Sequence, residues 1–389
     1  MKVLKPALIA GLILYIQTAT SQPIQKIVPA AERTKEYFPQ LKNKRVALLG
    51  NQTSMIGNIH LLDTLIHSEI IVKKIFCPEH GFRGNIEAGE KVKTTVDSAT
   101  KIRIISLYGK HFKPKSSELS DIDIVVMDIQ DVGVRFYTYL STLQYMMEAC
   151  AENNKELIIL DRPNPNSFYI DGPVLNLKYK SFVGLHPVPI VYGMTIGEYA
   201  LMINGEKWLK NNLPCKLKVI PCLNYSHNSR YELPVRPSPN LINMHSIYLY
   251  PSLALFEGTS INVGRGTTFP FQTFGHPQLK NADFTYTPKG SKESPNPLHQ
   301  DMVCYGIDLR KFNLPDSDKF TLQWLIFAYK NFPDKKEFFN AFFYNLSGNG
   351  ELIEQIKHGL SEEEIKKSWK EGIDKFKLIR KKYLIYTDL

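Results

Sequence analysis

Five short apolar runs, at 46–49, 70–76, 102–107, 122–127 and 157–160, are separated by stretches of helical length or by polar loops. This alternation predicts a Rossmann-like α/β fold built on a mainly parallel sheet. A strand covered on both faces reads as unbroken apolar sequence, and each parallel crossover needs a connecting segment of helical length. Each run ends in a polar cluster: Gly50, Asn51, Gln52, Thr53 and Ser54 after the first, and Pro78, Glu79, His80, Gly81, Phe82, Arg83 and Gly84 after the second. Tyr108 and Gly109 follow the third run, residues 128–139 the fourth, and Asp161, Arg162, Pro163, Asn164 and Pro165 the fifth. Parallel strands would put all these clusters on one edge of the sheet, where open α/β folds bind ligands.

The 389 residues accommodate about two domains, and a composition of 43% hydrophobic and 22% charged residues excludes disorder for the bulk of the chain. Lys2 and Lys5, an apolar run at 7–16, and the small residues Ala19, Thr20 and Ser21 predict a cleaved secretory signal at 1–21. A periplasmic or secreted mature protein is the expectation, with no stable membrane insertion once the signal is removed. The formal charge of +10 is spread over lysine-rich segments without an arginine-aromatic stripe, so nucleic acid is not an expected partner. Cys77, Cys150, Cys215, Cys222 and Cys304 are odd in number and have no zinc-motif spacing, and Cys215 and Cys222 flank a strand-like segment that would hold them apart. Buried free thiols are expected.

The first domain is placed at 22–204 and a smaller α+β domain at 205–389, where strand-like segments alternate with Pro- and Gly-rich loops. Thr195 with Glu198, and Ser361 with Glu364, read as capping boxes, so Glu198 is assigned a structural role. Ile365, Trp369, Ile373 and Phe376 form the packing stripe of a closing helix, and residues 283–300 read as a surface excursion. No Gly-x-Gly-x-x-Gly follows the first run and there is no Walker sequence, so no nucleotide cofactor is expected.

The densest polar cluster, residues 128–139, holds Asp128, Gln130, Asp131, Arg135, Tyr137 and Tyr139. It is too polar for a core and too aromatic for an ordinary solvated loop; its bland alternative is an ion pair between Asp131 and Arg135. Glu79 and His80 sit between Pro78 and Gly81, which fix the backbone path so that a carboxyl can be held partly desolvated as a general acid. A strand-end pair of Glu79 with Arg83 is the alternative there. Asp128, Asp131 and Asp161 approach Glu79 if their strands are neighbours, and two carboxyl groups facing across a cleft suit glycosidic cleavage. The same acids and His80 are competent ligands for a divalent cation, but paired-histidine spacing is absent and arginines intervene, so no metal is assigned. A Gly-x-Ser-x-Gly nucleophile elbow is also absent. In the second half, Asn240, Glu257 and Arg265 lie in turns fixed by proline and glycine, either as substrate contacts or with Glu257 and Arg265 paired to each other.

These clusters, together with Pro237, Ser238, Pro239 and Asn240, and with Glu257, Gly258 and Thr259 followed by Gly264, Arg265, Gly266 and Thr267, resemble the DUF1343 family, whose characterised members are NamZ-type exo-β-N-acetylmuramidases. The similarity runs from about Arg45 to the carboxyl end; the loop after Asn164 departs from the family's glycine-rich continuation. The resemblance implies a cleft between the two domains and release of β-1,4-linked N-acetylmuramic acid from the non-reducing end of peptidoglycan-derived disaccharides or muropeptides. It also implies Glu79 as the catalytic carboxyl, with His80 beside it. Asp128 is carried as a further catalytic candidate, and Asn51, Gln130 and Asp131 as substrate contacts. Arg83, Arg135, Arg162 and Arg265 are candidates to hold the lactyl carboxylate, and Tyr137 or Tyr139 to stack on the sugar. A muropeptide-binding protein without catalysis, and a metal-dependent hydrolase of another anionic substrate, are the competing readings.

Overall fold

The computed structural model describes residues 25–83, 95–315 and 319–388. The expected signal at 1–21 and Gly84 lie outside the described residues. Among the described residues, nine strands lie before residue 221: β1 (Arg45–Gly50), β2 (Met55–Ile56), β3 (Ile59–His60), β4 (Ile71–Cys77), β5 (Thr95–Val96), β6 (Arg103–Ser106), β7 (Ile124–Asp128), β8 (Glu156–Leu160) and β9 (Lys216–Ile220). Seven of them form one sheet in the order β5-β6-β4-β1-β7-β8-β9, while β2 and β3 make a small hairpin. All neighbours in the sheet are parallel except β5, which runs antiparallel to β6 at the edge. The chain builds outward from β1 to β4 and β6, then returns to the other side of β1 with β7, β8 and β9. This is the doubly wound order, with its reversal between β1 and β7.

The apolar runs alternate between two cores, as the period of a strand dictates. Ala47, Leu49, Val125 and Met127 point into one, and Val46, Leu48, Ile124 and Val126 into the other. The helix Tyr139–Glu152 adds Leu140, Leu143, Met146, Met147 and Cys150 to the first, at the spacing its sequence predicts. The helices Thr34–Leu41 and Leu61–His67 cover the second. The first core continues without a break into Leu249, Phe256, Phe274, Trp324 and Trp369 of the carboxyl half.

That half carries an antiparallel sheet of β10 (Thr273–His276), β11 (Phe284–Tyr286) and β12 (Cys304–Asp308), in the order β10-β12-β11. The main sheet extends past residue 205, where the change of domain was expected, because β9 pairs with β8 from Glu156 to Leu160. The stretch 283–300 is only partly a surface excursion: β11 is hydrogen-bonded into the sheet, and Tyr286 and Ser294 are buried. The helix Glu362–Arg380 starts at the expected Ser361–Glu364 capping box and buries Ile365, Trp369, Ile373 and Phe376. Glu198 completes its own capping box with Thr195 and also accepts from His227 Nε2 at 2.9 Å and from the backbone of Ile385 at 2.8 Å, tying the chain's end to the first domain. All five cysteines are free and buried. Among the described residues, no helix is long and apolar enough to cross a membrane.

Candidate active site

At the reversal between β1 and β7, Gly50 lies opposite Asp128, and the side chains around them satisfy one another. Ser54 Oγ donates to the Asp128 carbonyl at 2.5 Å, and Thr53 Oγ1 donates to Asn51 Oδ1 at 2.6 Å while accepting from the Gln130 backbone at 3.0 Å. Asn51 Nδ2 donates to the Tyr139 hydroxyl at 2.8 Å, and Gln130 Nε2 to the carbonyls of Asp131 and Pro163. Asp128 accepts from Arg162 Nε at 2.5 Å and Nη2 at 2.8 Å in a pair closed to solvent. Arg162 also caps the Met55 carbonyl. The Asp128 carboxylate and the Arg162 guanidinium, expected as a catalytic group and a substrate contact, are thus engaged with each other, and neither lines the cavity described below. Asn51, Gln130 and Tyr139 likewise belong to this internal network.

Asp131 and Arg135 do not pair. Asp131 accepts from the Tyr192 hydroxyl and from the Gly133 amide on one carboxyl oxygen, while its other oxygen has no partner; burial pushes its pKa up to about 6. Arg135 donates to the carbonyls of Pro173, Val188, Leu346 and Ser347 at 2.7–2.8 Å, and burial draws its pKa down to about 9. Neither lines the cavity described below: both are enclosed, and Arg135 clasps the two halves of the chain. Asp161 is enclosed as well, accepting from Tyr386, Thr195 and the Gly197 amide, and burial pushes it up to about 7.

The open space lies to one side of this filled crevice. A cavity of about 500 Å³ sits beyond the carboxyl ends of β4 and β6, at the start of the helix Tyr139–Glu152 and under the carboxyl half. Of the expected residues, Glu79, His80, Tyr137, Asn240, Glu257 and Arg265 line it. Glu79 and His80 are 7% and 5% exposed, and the turn that presents them has His80 and Gly81 both in the left-handed region, at φ of 70° and 74°. A histidine there is uncommon and marks a backbone path imposed by its surroundings. Thr138 Oγ1 donates to Glu79 Oε2 at 2.6 Å and orients the carboxyl. Across the cavity, Arg265 donates through Nε and Nη2 to Glu257 Oε1 at 3.0 and 2.6 Å and lies over the Phe271 ring, 5.1 Å from its centroid.

The loop carrying Ser238 and Asn240 is pinned from the first domain. Tyr137 and Tyr139 hydroxyls donate to the Pro237 carbonyl at 2.9 and 3.2 Å, and Gln52 Nε2 donates to the carbonyls of Arg236 and Pro237. Tyr137 thus offers the cavity its ring, with its hydroxyl engaged. Tyr250, which touches the rings of Tyr137 and Phe271, completes the floor. Arg83 lies outside the cavity, paired with Asp97 at 2.6 Å and lining a separate groove with Gln52, Arg236 and Lys292.

Thr138 lies inside the central cluster, where its charged and phenolic neighbours carry the stronger chemical signal. Phe112, Phe182, Tyr250, Phe271 and Phe342 also line the cavity, and lone aromatics in loops and helices carry no sequence signal that separates a cavity wall from a core. Among the described residues, no three His, Cys, Asp or Glu side chains gather as a metal site would require.

Residues 46–245 match the model described as exo-β-N-acetylmuramidase NamZ, N-terminal, and residues 248–386 match its C-terminal counterpart. The chain is 37% identical over 383 residues to the peptidoglycan β-N-acetylmuramidase NamZ of Bacillus subtilis (strain 168), covering 90% of this chain and 89% of that protein. A crystal structure of a DUF1343 family protein of Bacteroides fragilis superposes with a TM-score of 0.87 at 47% identity, covering 94% of this chain and all of that one. A second, from the same organism, gives a TM-score of 0.75 at 30% identity with the same coverage. The chain belongs to the NamZ family of exo-β-N-acetylmuramidases and carries both of its domains.

Proposed function

We propose that the chain is an exo-acting glycoside hydrolase that removes β-1,4-linked N-acetylmuramic acid from the non-reducing end of peptidoglycan fragments, with Glu79 as its acid. The observation that carries this is the Glu79 carboxyl, fixed by Thr138 on a cavity whose facing wall presents the Arg265–Glu257 pair. Glycosidic cleavage needs a proton on the departing oxygen, and a carboxyl held in one orientation over the bond delivers it. His80, on the same turn and the same cavity, stands beside it as a positioning or proton-relaying group.

Muramic acid differs from glucosamine by a lactyl carboxylate. Of the four arginines considered, Arg265 lines the cavity, while Arg135 and Arg162 are consumed by internal partners and Arg83 faces the neighbouring groove. A guanidinium already oriented by Glu257 meets a second carboxylate with little loss of freedom. Arg265 is therefore assigned the selection of the muramic acid. The basic and apolar start of the chain supports action outside the cytoplasm, in the periplasm or the medium, on muropeptides released there.

The test is release of 4-nitrophenol from its β-N-acetylmuramide and its β-N-acetylglucosaminide. The unaltered chain should favour the muramide, Glu79→Gln should lose about 10²–10⁴-fold in kcat/KM, and Arg265→Ala should narrow the preference between the two sugars. Retained activity in Glu79→Gln would remove that residue from the chemistry. Muropeptide binding without turnover by the unaltered chain would instead make it a binding protein, and activity lost to a chelator would make it a metal-dependent hydrolase.

A further inference from the structure

The cavity has a gradient of exposure. Glu79, His80, Tyr137, Asn240 and Tyr250 are buried, whereas Tyr108, Phe112 and Phe182 on the same cavity are half-buried and Phe342 is 39% exposed. A ligand therefore enters past aromatic rings and ends among polar groups.

Those rings form a cluster of their own. Phe112 and Phe182 stack with centroids 4.2 Å apart and planes 30° from parallel, Tyr145 lies behind them at 11° to Phe182 and 20° to Phe112, and Tyr108 meets Phe112 edge-on at 6.3 Å. Phe112, Phe182 and Tyr145 belong to none of the hydrophobic cores of the molecule. The cluster is also held in place. Phe182 sits in a turn closed by reciprocal backbone hydrogen bonds between Ser181 and Gly184, and its carbonyl accepts from Ser141 Oγ at 2.6 Å. Next to Phe112, Lys113 is tied to Glu148 and Glu152 at 3.3 and 2.8 Å, on the helix that carries Tyr145. Apolar surface left outside the core, kept partly exposed and fixed from three sides marks a binding surface.

Resting on the muramidase reading, we infer that Tyr108, Phe112 and Phe182 form the platform for the leaving-group sugar, the N-acetylhexosaminyl unit whose 4-oxygen departs. A β-linked pyranose turns its axial C–H bonds to its two faces, and an apolar face packs on an aromatic ring. The terminal muramic acid then occupies the buried polar end beside Glu79, and the next sugar lies on the half-buried rings. The rings thus set the preference for a sugar over other leaving groups.

The experiment compares the disaccharide N-acetylmuramyl-β-1,4-N-acetylglucosamine with trifluoroethyl β-N-acetylmuramide, whose small leaving group carries no ring. Phe112→Leu, Phe182→Leu and the double variant keep apolar bulk and remove the stacking faces. The expected result is a fall of about tenfold or more in kcat/KM for the disaccharide in the double variant, with the trifluoroethyl substrate unchanged. Activity on the small substrate also reports that the variant is folded, and Phe182→Tyr should restore the disaccharide. An equal fall on both substrates, or no fall on the disaccharide, would overturn the platform. Absence of turnover of both by the unaltered chain would instead strike the muramidase reading beneath it.

Discussion

The crevice between β1 and β7 and the cavity beyond β4 and β6 lie on the same edge of the same sheet, yet one is shut and the other open. In the crevice, Asn51, Thr53, Ser54, Asp128 and Arg162 bond to one another or to nearby backbone. In the cavity, Glu79 accepts a short bond from Thr138 and Arg265 donates to Glu257, and both residues line the open space between the two halves of the chain. Both regions are rich in charged and hydroxyl groups. They differ in how much of that polar surface is satisfied within its own network, and on the proposed reading this separates the region that supports the fold from the one that does the chemistry.

The contrast breaks if changes in the crevice leave stability untouched and changes in the cavity act on it. Asp128→Ala should have the largest effect, since it leaves Arg162 charged, enclosed and unpaired, at a cost of about 3–5 kcal/mol. Urea unfolding measures it, and Glu79→Gln should leave the same midpoint nearly unmoved. Next comes the pH dependence of stability. Burial raises Asp131 to about 6 and Asp161 to about 7, both from 3.8, so each keeps its proton in the folded chain over a range in which the unfolded chain has released it. Stability should accordingly fall as pH rises from about 4 to about 7 and then level off, more steeply below about 6 where both groups contribute; Asp131→Asn should lessen the slope below about 6 and leave that above it, and an unchanged slope would refute the assignment. The smallest effect is at Tyr139, whose hydroxyl links Asn51 to the Pro237 carbonyl. Tyr139→Phe should cost about 1–3 kcal/mol and raise KM a few-fold more than it lowers kcat, because the loop bearing Ser238 and Asn240 is less firmly held.

The sheet was legible because its central strands are enclosed on both faces, which only unbroken apolar sequence satisfies. β9 escaped because Lys216 and Lys218 point to solvent at the sheet's edge, and their alternation imitates a strand of another domain. Glu79 and His80 could be read as site residues because proline and glycine frame a turn with no other evident use. The pairing of Asp128, Arg135 and Arg162 was hidden for the opposite reason: a sequence displays a charge but not its partner, and theirs are a strand away or across the chain. Phe112 and Phe182 gave no signal, since their meaning lies in meeting each other across 70 residues of chain.

Arg135 has a consequence for how such a protein can change over generations. Its guanidinium holds Pro173 and Val188 of the amino-terminal half and Leu346 and Ser347 of the carboxyl-terminal half at once. A carboxyl half transplanted to another chain would carry off the enclosed Leu346 and Ser347 carbonyls without their donor and leave Arg135 Nη2 without these two acceptors. A change on either side of this seam is therefore felt by the other through one buried guanidinium.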